Sequence, residues 1–171
     1  MKRLPLVLMT AALTIPIGLV AKPTKTLPEE VQHKLATLPR FNLFDELSFQ
    51  VDGTTVTLTG QVTRPVVKDD AAYAVKHVEG VTAVVNNIEV LPLSPDDDQL
   101  RMAVYRAIYG APSLSDRYGF QASPAIHIIV KNGVVKLEGV VANKMDRQIA
   151  FMCASGVFGA FQVVNDLQVG S

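Results

Sequence analysis

The sequence predicts an α+β fold made of two tandem copies of one unit, each ordered helix, strand, strand, helix, strand. An internal repeat is the first observation behind this prediction: VTLTG at residues 56–60 matches VKLEG at residues 135–139, an offset of 79 residues from position 56 to position 135. The second observation is that GVTAVVNNIEV from Gly80 matches GAFQVVNDLQV from Gly159 at the same offset. A register kept this long, with no insertion in any connecting loop, indicates a duplicated unit.

Each copy opens with a helix whose first turn can be recognised. Thr26 and Glu29 have the spacing of a capping box, and Ser94 and Asp97 repeat it in the second copy. The apolar residues that follow are spaced as on one buried helix face. They are Val31, Leu35 and Leu38 in the first copy, and Leu100, Ala103, Val104, Ala107 and Ile108 in the second.

A β-hairpin, a second helix and a third strand complete each copy. The pairs Asp52–Gly53 and Asn132–Gly133 separate alternating apolar strands and are predicted to adopt the positive φ angles of a tight turn. In the first copy the second helix ends at Gly80, before a strand. The apolar face of that helix is predicted to consist of Val67, Ala71, Ala74, Val75 and Val78, and the strand is centred on Val84, Val85, Ile88 and Val90.

This order, with the paired segments DGTTVTLTG...EGVTAVVNNIEV and NGVVKLEG...FGAFQVVNDLQV, resembles the BON domain, a family of osmotically induced and other exported bacterial proteins. The resemblance covers residues 26–93 and 94–171. It implies two helices packed on one face of a small mixed three-stranded sheet in each copy, and a periplasmic protein that binds phospholipid surfaces or other envelope components. The second copy departs from the pattern by about ten extra residues, predicted as an inserted loop over residues 110–124.

The first 21 residues predict export. Lys2 and Arg3 precede an apolar run over residues 4–20, and small Ala21 offers a cleavage point, which is the pattern of a secretory signal peptide. A retained anchor is the alternative, but two prolines interrupt the run and it is short for a span of about 20 residues. Because no cysteine follows the run, we expect a periplasmic protein, secreted across the inner membrane, that is not a lipoprotein.

Charge and cysteine content exclude further classes. Removal of the first 21 residues takes away two of 16 basic residues and none of 16 acidic ones, so the net charge becomes 14 minus 16, or −2. No basic stripe and no cluster of aromatic residues among arginines points to nucleic acid. The single cysteine, Cys153, cannot form an intrachain disulfide, and we interpret it as a small core residue.

No arrangement of residues predicts catalysis. The sequence has no nucleophile elbow, His-Glu-x-x-His motif, phosphate-binding loop or Cys-x-x-Cys pair. His33, His77 and His127 lie apart and are expected to be structural or solvated, with His127 facing away from its neighbours Ile126 and Ile128. The acidic run at residues 96–98 suits a helix start better than a calcium site. We therefore expect no enzyme, catalytic residue, cofactor or metal.

The repeat makes each copy a control for the other. If the positions that face the sheet are shared, Ala150, Cys153, Ala154 and Val157 belong to the core of the second copy. The outer positions are apolar where those of the first copy are mostly polar: Ile149, Phe151, Met152, Phe158 and Phe161 replace Asp70, Ala72, Tyr73, Glu79 and Thr82. Burial of each such side chain is worth about 1.5–3 kcal/mol, so we expect something to cover them.

Three kinds of contact could cover these apolar side chains. The first is internal, by the first copy or by the inserted loop. The second is an anionic phospholipid membrane surface, with Lys144 and Arg147 meeting headgroups while the apolar side chains enter the interface. The third is a protein partner or a second copy of the chain. The segment itself cannot span a membrane, because residues 149–161 are too few for a span of about 20 residues.

We therefore expect a non-enzymatic envelope protein that binds phospholipid surfaces through the second helix of its second copy, in envelope or osmotic-stress maintenance. Phospholipid is the ligand that the resemblance to the BON domain implies. The alternative is a protein-interaction or chaperone-like module that holds exported polypeptides, with the same patch as the partner or interdomain interface. The oligomeric state is left open. The candidate lipid- or partner-binding residues are Lys144, Arg147, Ile149, Phe151, Met152, Phe158 and Phe161.

Overall fold

The computed structural model of the protein describes residues 25–121 and 124–170. The predicted signal peptide, residues 1–21, lies outside the described residues. Among the helices of the described ranges, none has the length and apolar content needed to cross a membrane.

The first domain has the predicted order of elements, and its third strand is divided into two short segments. Both segments pair in parallel with the same strand, first through residues 83–86 and then through residues 89–90, so they form one interrupted edge of a mixed sheet. The elements are α1 (Leu27–Ala36), β1 (Glu46–Asp52), β2 (Thr55–Val62), α2 (Pro65–Lys76), β3 (Ala83–Asn86) and β4 (Glu89–Val90).

The second domain repeats this topology and adds one helix. Its hairpin is antiparallel, and the divided third strand again pairs in parallel with the second strand of the hairpin. The α+β fold of two tandem units is therefore confirmed. The elements are α3 (Pro95–Tyr109), α4 (Pro112–Tyr118), β5 (Ile126–Lys131), β6 (Val134–Val141), α5 (Lys144–Ser155), β7 (Gln162–Asn165) and β8 (Gln168–Val169).

The predicted helix starts are present, with one difference between the copies. The Thr26 N–H donates to the Glu29 carboxylate at 2.8 Å, and this bond lowers the pKa of Glu29. In the second domain the Ser94 hydroxyl accepts from the Asp97 N–H at 3.2 Å, as a helix cap does. The Asp97 carboxylate, however, turns away from Ser94 to a neighbouring turn. Only half of the second capping box is therefore formed.

The two hairpins use different turns. Asn132 and Gly133 have φ angles of 52° and 75°, as predicted for a turn with two left-handed residues. In the first domain Asp52 pairs with Thr55 as the last residue of β1, so the turn consists of Gly53 and Thr54. The prediction of positive φ at Asp52 was wrong, because glycine at the first turn position selects a type II′ turn that needs positive φ only there.

The segment over residues 110–124, predicted as a loop, contains the helix α4, so that prediction was wrong for residues 112–118. Pro112 occupies the first turn of the helix, where a missing N–H costs nothing. Leu114 and Tyr118 lie four residues apart and are both buried in the core of the second domain. Their apolar contact outweighs the loop-like composition of the segment.

The two domains meet on the outer side of β5. The Ile128 N–H donates to the Leu43 carbonyl oxygen at 2.8 Å, which satisfies part of the strand's free edge. The His127 ring stacks on Phe41 with centroids 5.3 Å apart, and its Nδ1 lies 2.7 Å from the Asp45 carbonyl oxygen. Because a carbonyl can only accept, Nδ1 must carry the proton.

Ile129 lies on β5 between His127 and Lys131, two side chains that contact the first domain. It is 2% exposed although it points away from the core side of β5, where Ile128 and its neighbours pack. On the same side of the strand, Lys131 Nζ lies 2.5 Å from Glu89 Oε1 of the first domain. The helices of the second domain cover the opposite face of the sheet, and α3 meets the first domain through Phe44, whose ring packs edge-on against Tyr105 with centroids 6.5 Å apart.

Candidate functional site

Helix α5 is held by a cap at its start and a buried face along its length. The Asn143 side chain accepts from the Asp146 N–H at 2.8 Å, and the helix ends at Gly156. Ala150 and Ala154 are fully buried, while Cys153 and Val157 are half-buried and pack on the same core. These are the four positions that the repeat assigned to the core. Burial raises the pKa of the Cys153 thiol, which disfavours the reactive thiolate.

The acidic residue of α5, Asp146, is buried, and its charge is paired with that of Arg117. The Asp146 carboxylate accepts from the Tyr118 hydroxyl at 2.6 Å and from the Asn143 side chain at 3.2 Å, and it forms an ion pair with Arg117. The bond to Asp146 raises the pKa of Arg117. Because Asp146 is the single acid in α5, the solvent side of the helix carries no negative charge of its own.

The solvent side of α5 combines basic and sulfur-containing side chains. Met145 and Met152 are 66% and 55% exposed. Lys144 and Arg147 are exposed beside them, and one Arg147 N–H donates to the Asn165 carbonyl oxygen at 3.2 Å. We call this surface the α5 outer face and define it by Lys144, Met145, Arg147, Met152 and the half-buried Phe151.

Two of the seven candidate residues do not lie freely on the surface. Ile149 is half-buried and packs against the core of its own domain, so it supports α5 rather than extending its outer face. Phe151 is half-buried as well, like its counterpart Ala72 in the first domain. Helix α5 therefore exposes fewer apolar side chains than the sequence comparison predicted.

Phe158 and Phe161 belong to a different surface. They lie in the connection between α5 and β7, where Phe158 is fully exposed and Phe161 is 85% exposed. Phe161 lies over the β5–β6 turn, so closely that a Cβ added to Gly133 would be 2.3 Å from its ring. Both rings face α3 across a groove of about 1010 Å³, which we call the α3 groove. Its other lining residues include Asp96, Asp98, Met102, Ala103 and Arg106.

Neither the first domain nor the inserted segment covers the most exposed apolar residues of α5 and of the connection that follows it. The first domain contacts the second at β5 and, through Phe44, at Tyr105 of α3, while α4 contacts the start of α5 through Tyr118. Met152, Phe158 and Phe161 all keep more than half of their surface exposed. These three side chains are therefore not part of the joint between the domains.

The sequence reasoning missed several residues of these surfaces. Met145 and Met102 are exposed on α5 and α3, and nothing but their helical positions could have singled them out. Ile129 carried a stronger signal, because it replaces exposed Gln50 at the same repeat position. The comparison between copies, applied to β5, would have located the domain joint.

Within residues 25–121 and 124–170, no group of three or more histidine, cysteine or acidic residues is placed to hold a metal ion. His33 and His77 are exposed, and His127 is occupied in the domain joint. The second domain thus presents two surfaces with exposed apolar side chains, the α5 outer face and the α3 groove.

Comparison with known families agrees with the repeat. The sequence model of the BON domain matches residues 25–92 and again residues 96–171. The chain belongs to the BON domain family. BON domains occur in envelope and osmotic-stress proteins, and they form a non-catalytic family.

The similarity of this BON protein to solved structures is weak. Two solved chains of CdsD, described as a structural protein of the type III secretion system of Chlamydia trachomatis, are similar at 13% and 12% identity. The matches cover 84% and 83% of this chain and 92% and 96% of those chains, each with a TM-score of 0.34. A similarity at this level carries no argument about function. Comparison with curated proteins gives no significant match.

Proposed function

We propose that this BON protein is a non-enzymatic envelope protein that binds anionic phospholipid surfaces through the α5 outer face of its second domain. The observation that carries the proposal is the composition of that face. Exposed Met145 and Met152 lie beside exposed Lys144 and Arg147, while the single acid of α5, Asp146, is buried and paired. A helix with these properties suits the boundary between headgroups and acyl chains.

The expected affinity is modest and reversible. Each basic residue close to an anionic leaflet contributes about 1 kcal/mol, and this attraction is screened by salt. Insertion of a methionine side chain contributes at most about 1.5–3 kcal/mol, less for a side chain that enters only partly. Lys144 and Arg147 therefore guide the helix to the surface, and Met152 with Phe151 holds it there.

The arrangement of the domains supports access to a membrane. The first domain contacts the outer side of β5, through His127 and Lys131, whereas α5 packs on the opposite face of the sheet. A flat lipid surface can then approach α5 without displacing the first domain. The equivalent helix of the first domain, α2, has two basic residues, Lys68 and Lys76, and two acids, Asp69 and Asp70. It therefore carries no net positive charge and is not expected to bind.

Sedimentation with lipid vesicles tests the proposal. The chain from Lys22 onward contains every residue of both cores, so it can be used without the predicted signal peptide. We expect it to bind vesicles that contain anionic phospholipid at low salt, and to bind less at high salt. No binding to vesicles of any composition would end the proposal.

We also propose a periplasmic location and a role in envelope or osmotic-stress maintenance. The support is the predicted signal peptide over residues 1–21 and the occurrence of BON domains in envelope proteins. Fractionation of cells that express the full chain provides the test. We expect the protein in the periplasmic fraction, shortened by its first residues, and recovery in the cytoplasm at full length would contradict this.

A further inference from the structure

The first strand of the first domain, β1, lies at the edge of its sheet, and no other strand of the described chain pairs with its outer side. We infer that this edge is a docking site for an extended segment of another polypeptide, which adds to the sheet as a further strand. The inference goes beyond the proposed lipid binding, because it concerns a different domain and a different kind of contact.

The turn of the first hairpin determines which main-chain groups of β1 point outward. Asp52 and Thr55 flank a two-residue turn and pair with each other, and in such a hairpin this pair exchanges both hydrogen bonds. Bonded and non-bonded pairs then alternate along the strand. The N–H and C=O groups of Leu47, Phe49 and Val51 therefore point away from β2. No residue of the described part of the chain bonds to them.

The second domain shows how an equivalent edge is capped. Ile128 of β5 occupies the same repeat position as Phe49, and its outward N–H donates to the Leu43 carbonyl oxygen at 2.8 Å. Leu43 belongs to the segment between α1 and β1, so a main-chain group from outside the second domain caps that edge. Within the described residues, nothing does the same for β1. The two copies thus have the same edge, occupied in one and open in the other.

Strand β1 lacks the main features by which proteins protect an open edge. It is seven residues long and pairs with β2 without a bulge. It contains no proline and no lysine, and its charged residues, Glu46 and Asp52, stand at its two ends. Long and regular edges without such features are those to which extended segments add.

A groove of about 510 Å³ accompanies the start of this edge. Four consecutive residues of β1, 46–49, line it, and because their side chains alternate between the two faces of the sheet, the groove lies at the edge of the strand. The second domain contributes His127 and residues 138–140 to the same groove. Its apolar lining consists of Leu35, Ala36, Phe41, Leu47, Phe49 and Val140. A strand added to β1 would bury its own apolar side chains here.

The chemistry of the edge selects a polypeptide as its ligand. The ligand must offer donors and acceptors in alternation along a line about 4.8 Å from β1, which a main chain does and a lipid headgroup does not. A second copy of β1 fits less well. Antiparallel pairing centred on Phe49 would place Glu46 opposite Asp52 at both ends, and like charges in such pairs are destabilising. The edge and groove together suit an extended segment in which apolar residues alternate with uncharged polar ones.

The absence of tryptophan from the chain allows a peptide probe to be followed by its own emission. The probe has seven residues, the length of β1, and alternates valine with serine, with tryptophan in place of one valine. Two twins carry N-methyl groups, the first on the apolar residues and the second on the serines. Alternate N–H groups of a strand point to opposite sides, so only one of the two sets can face β1.

We expect the emission of the unmodified probe to shift to the blue when the chain from Lys22 onward is added. Exactly one of the twins should bind about tenfold more weakly or worse, because its methyl groups remove the hydrogen bonds to β1. The other twin has the same composition and the same number of methyl groups, and it should bind like the unmodified probe.

Amide hydrogen exchange, followed by NMR, locates the bound peptide. In the chain alone, the N–H groups of Ser48 and Gln50 should exchange slowly, because they bond to β2, while those of Leu47, Phe49 and Val51 should exchange rapidly. Saturation with the probe should slow the exchange of the latter three about tenfold or more. The former two provide the internal control and should change less.

Four results would overturn the inference. They are no binding of the probe, equal binding of the two twins, protection by the probe that is confined to the second domain, and protection of β1 that grows with protein concentration when no peptide is present. The last would assign the edge to a second copy of the chain. Failure of the chain to bind vesicles would contradict the proposed function and leave these measurements unaffected.

Discussion

Tyr118 of α4 joins the start of α5 to the sheet: its hydroxyl donates to the Asp146 carboxylate at 2.6 Å and accepts from the Ala142 N–H at 2.8 Å. In the first domain the N–H at the same repeat position, Thr63, donates instead to the Asp45 carboxylate at 2.7 Å. The inserted helix thus supplies an acceptor that the first domain takes from the segment before β1. It also keeps the acid of α5 buried beneath the α5 outer face.

Loss of the Tyr118 hydroxyl should destabilise the second domain. Tyr118→Phe removes one donor from buried Asp146 and the acceptor of the Ala142 N–H, at a cost of about 1–3 kcal/mol in the free energy of unfolding. Chemical denaturation of the variant measures this. Tyr73→Phe, at a side chain that is 69% exposed, serves as the control and should be neutral. Equal stability of the two variants would show that the hydroxyl contributes nothing.

Gly133 is predicted to tolerate a side chain less well than Gly53. Both have positive φ, 75° and 60°, so alanine at either site meets a backbone cost of about 1–2 kcal/mol. At Gly53 the added Cβ meets open space, but at Gly133 it would lie 2.3 Å from the Phe161 ring. Gly133→Ala should therefore lower the free energy of unfolding more than Gly53→Ala. The reverse order in thermal or chemical unfolding would contradict the packing of Phe161.

The domain joint should depend on Ile129. Ile129→Gln introduces the residue that the first domain has at the same repeat position, and the lost apolar burial costs up to about 1.5–3 kcal/mol. We expect weaker coupling between the domains, seen as a broader or two-step unfolding transition. Gln50→Ala, on the exposed face of β1, is the control and should stay within about 0.5 kcal/mol of the wild type. A sharp, unshifted transition for Ile129→Gln would show that the joint contributes no stability.

The ion pair at the edge of the joint gives a small pH dependence. Hydrogen bonds from Lys131 and from Gln61 lower the pKa of the Glu89 carboxyl below its usual value of 4.5. A carboxyl with a lowered pKa in the folded state stabilises the fold above its unfolded pKa, and this contribution is lost as the pH falls below about 4.5 through the folded pKa. Exposed pairs contribute about 0.2–1 kcal/mol. Glu89→Gln should therefore destabilise slightly at neutral pH and not at pH of about 3, and a loss that is the same at both would contradict this assignment.

The sequence predicted the topology well because the repeat tests every element twice. Offset matches fixed the hairpins and helices, and the comparison of copies gave the correct exposure of Met152, Phe158 and Phe161. It could not show that Phe158 and Phe161 face α3 whereas Met152 does not, because that depends on how α3 packs beside α5. The separation of the candidate residues into two surfaces therefore needed tertiary structure.

The failures of sequence reasoning have local physical causes. Composition suggested a loop at α4, but the buried pair Leu114 and Tyr118 outweighed it. The Asp97 carboxylate has the spacing of a capping residue, yet two backbone N–H groups of the β5–β6 turn attract it more strongly than one at its own helix start. Contacts between segments far apart in the chain decided both cases, and no periodicity along one helix reports them.

The measurement that tests the central claim most directly compares vesicle binding of two variants at equivalent repeat positions. Met152→Glu places a charge on the α5 outer face, and Tyr73→Glu places the same charge on α2 of the first domain, where the side chain is also exposed. We predict that Met152→Glu loses binding to anionic vesicles at low salt while Tyr73→Glu binds like the wild type. Equal binding by both variants, or equal loss, would contradict a lipid-binding surface on α5.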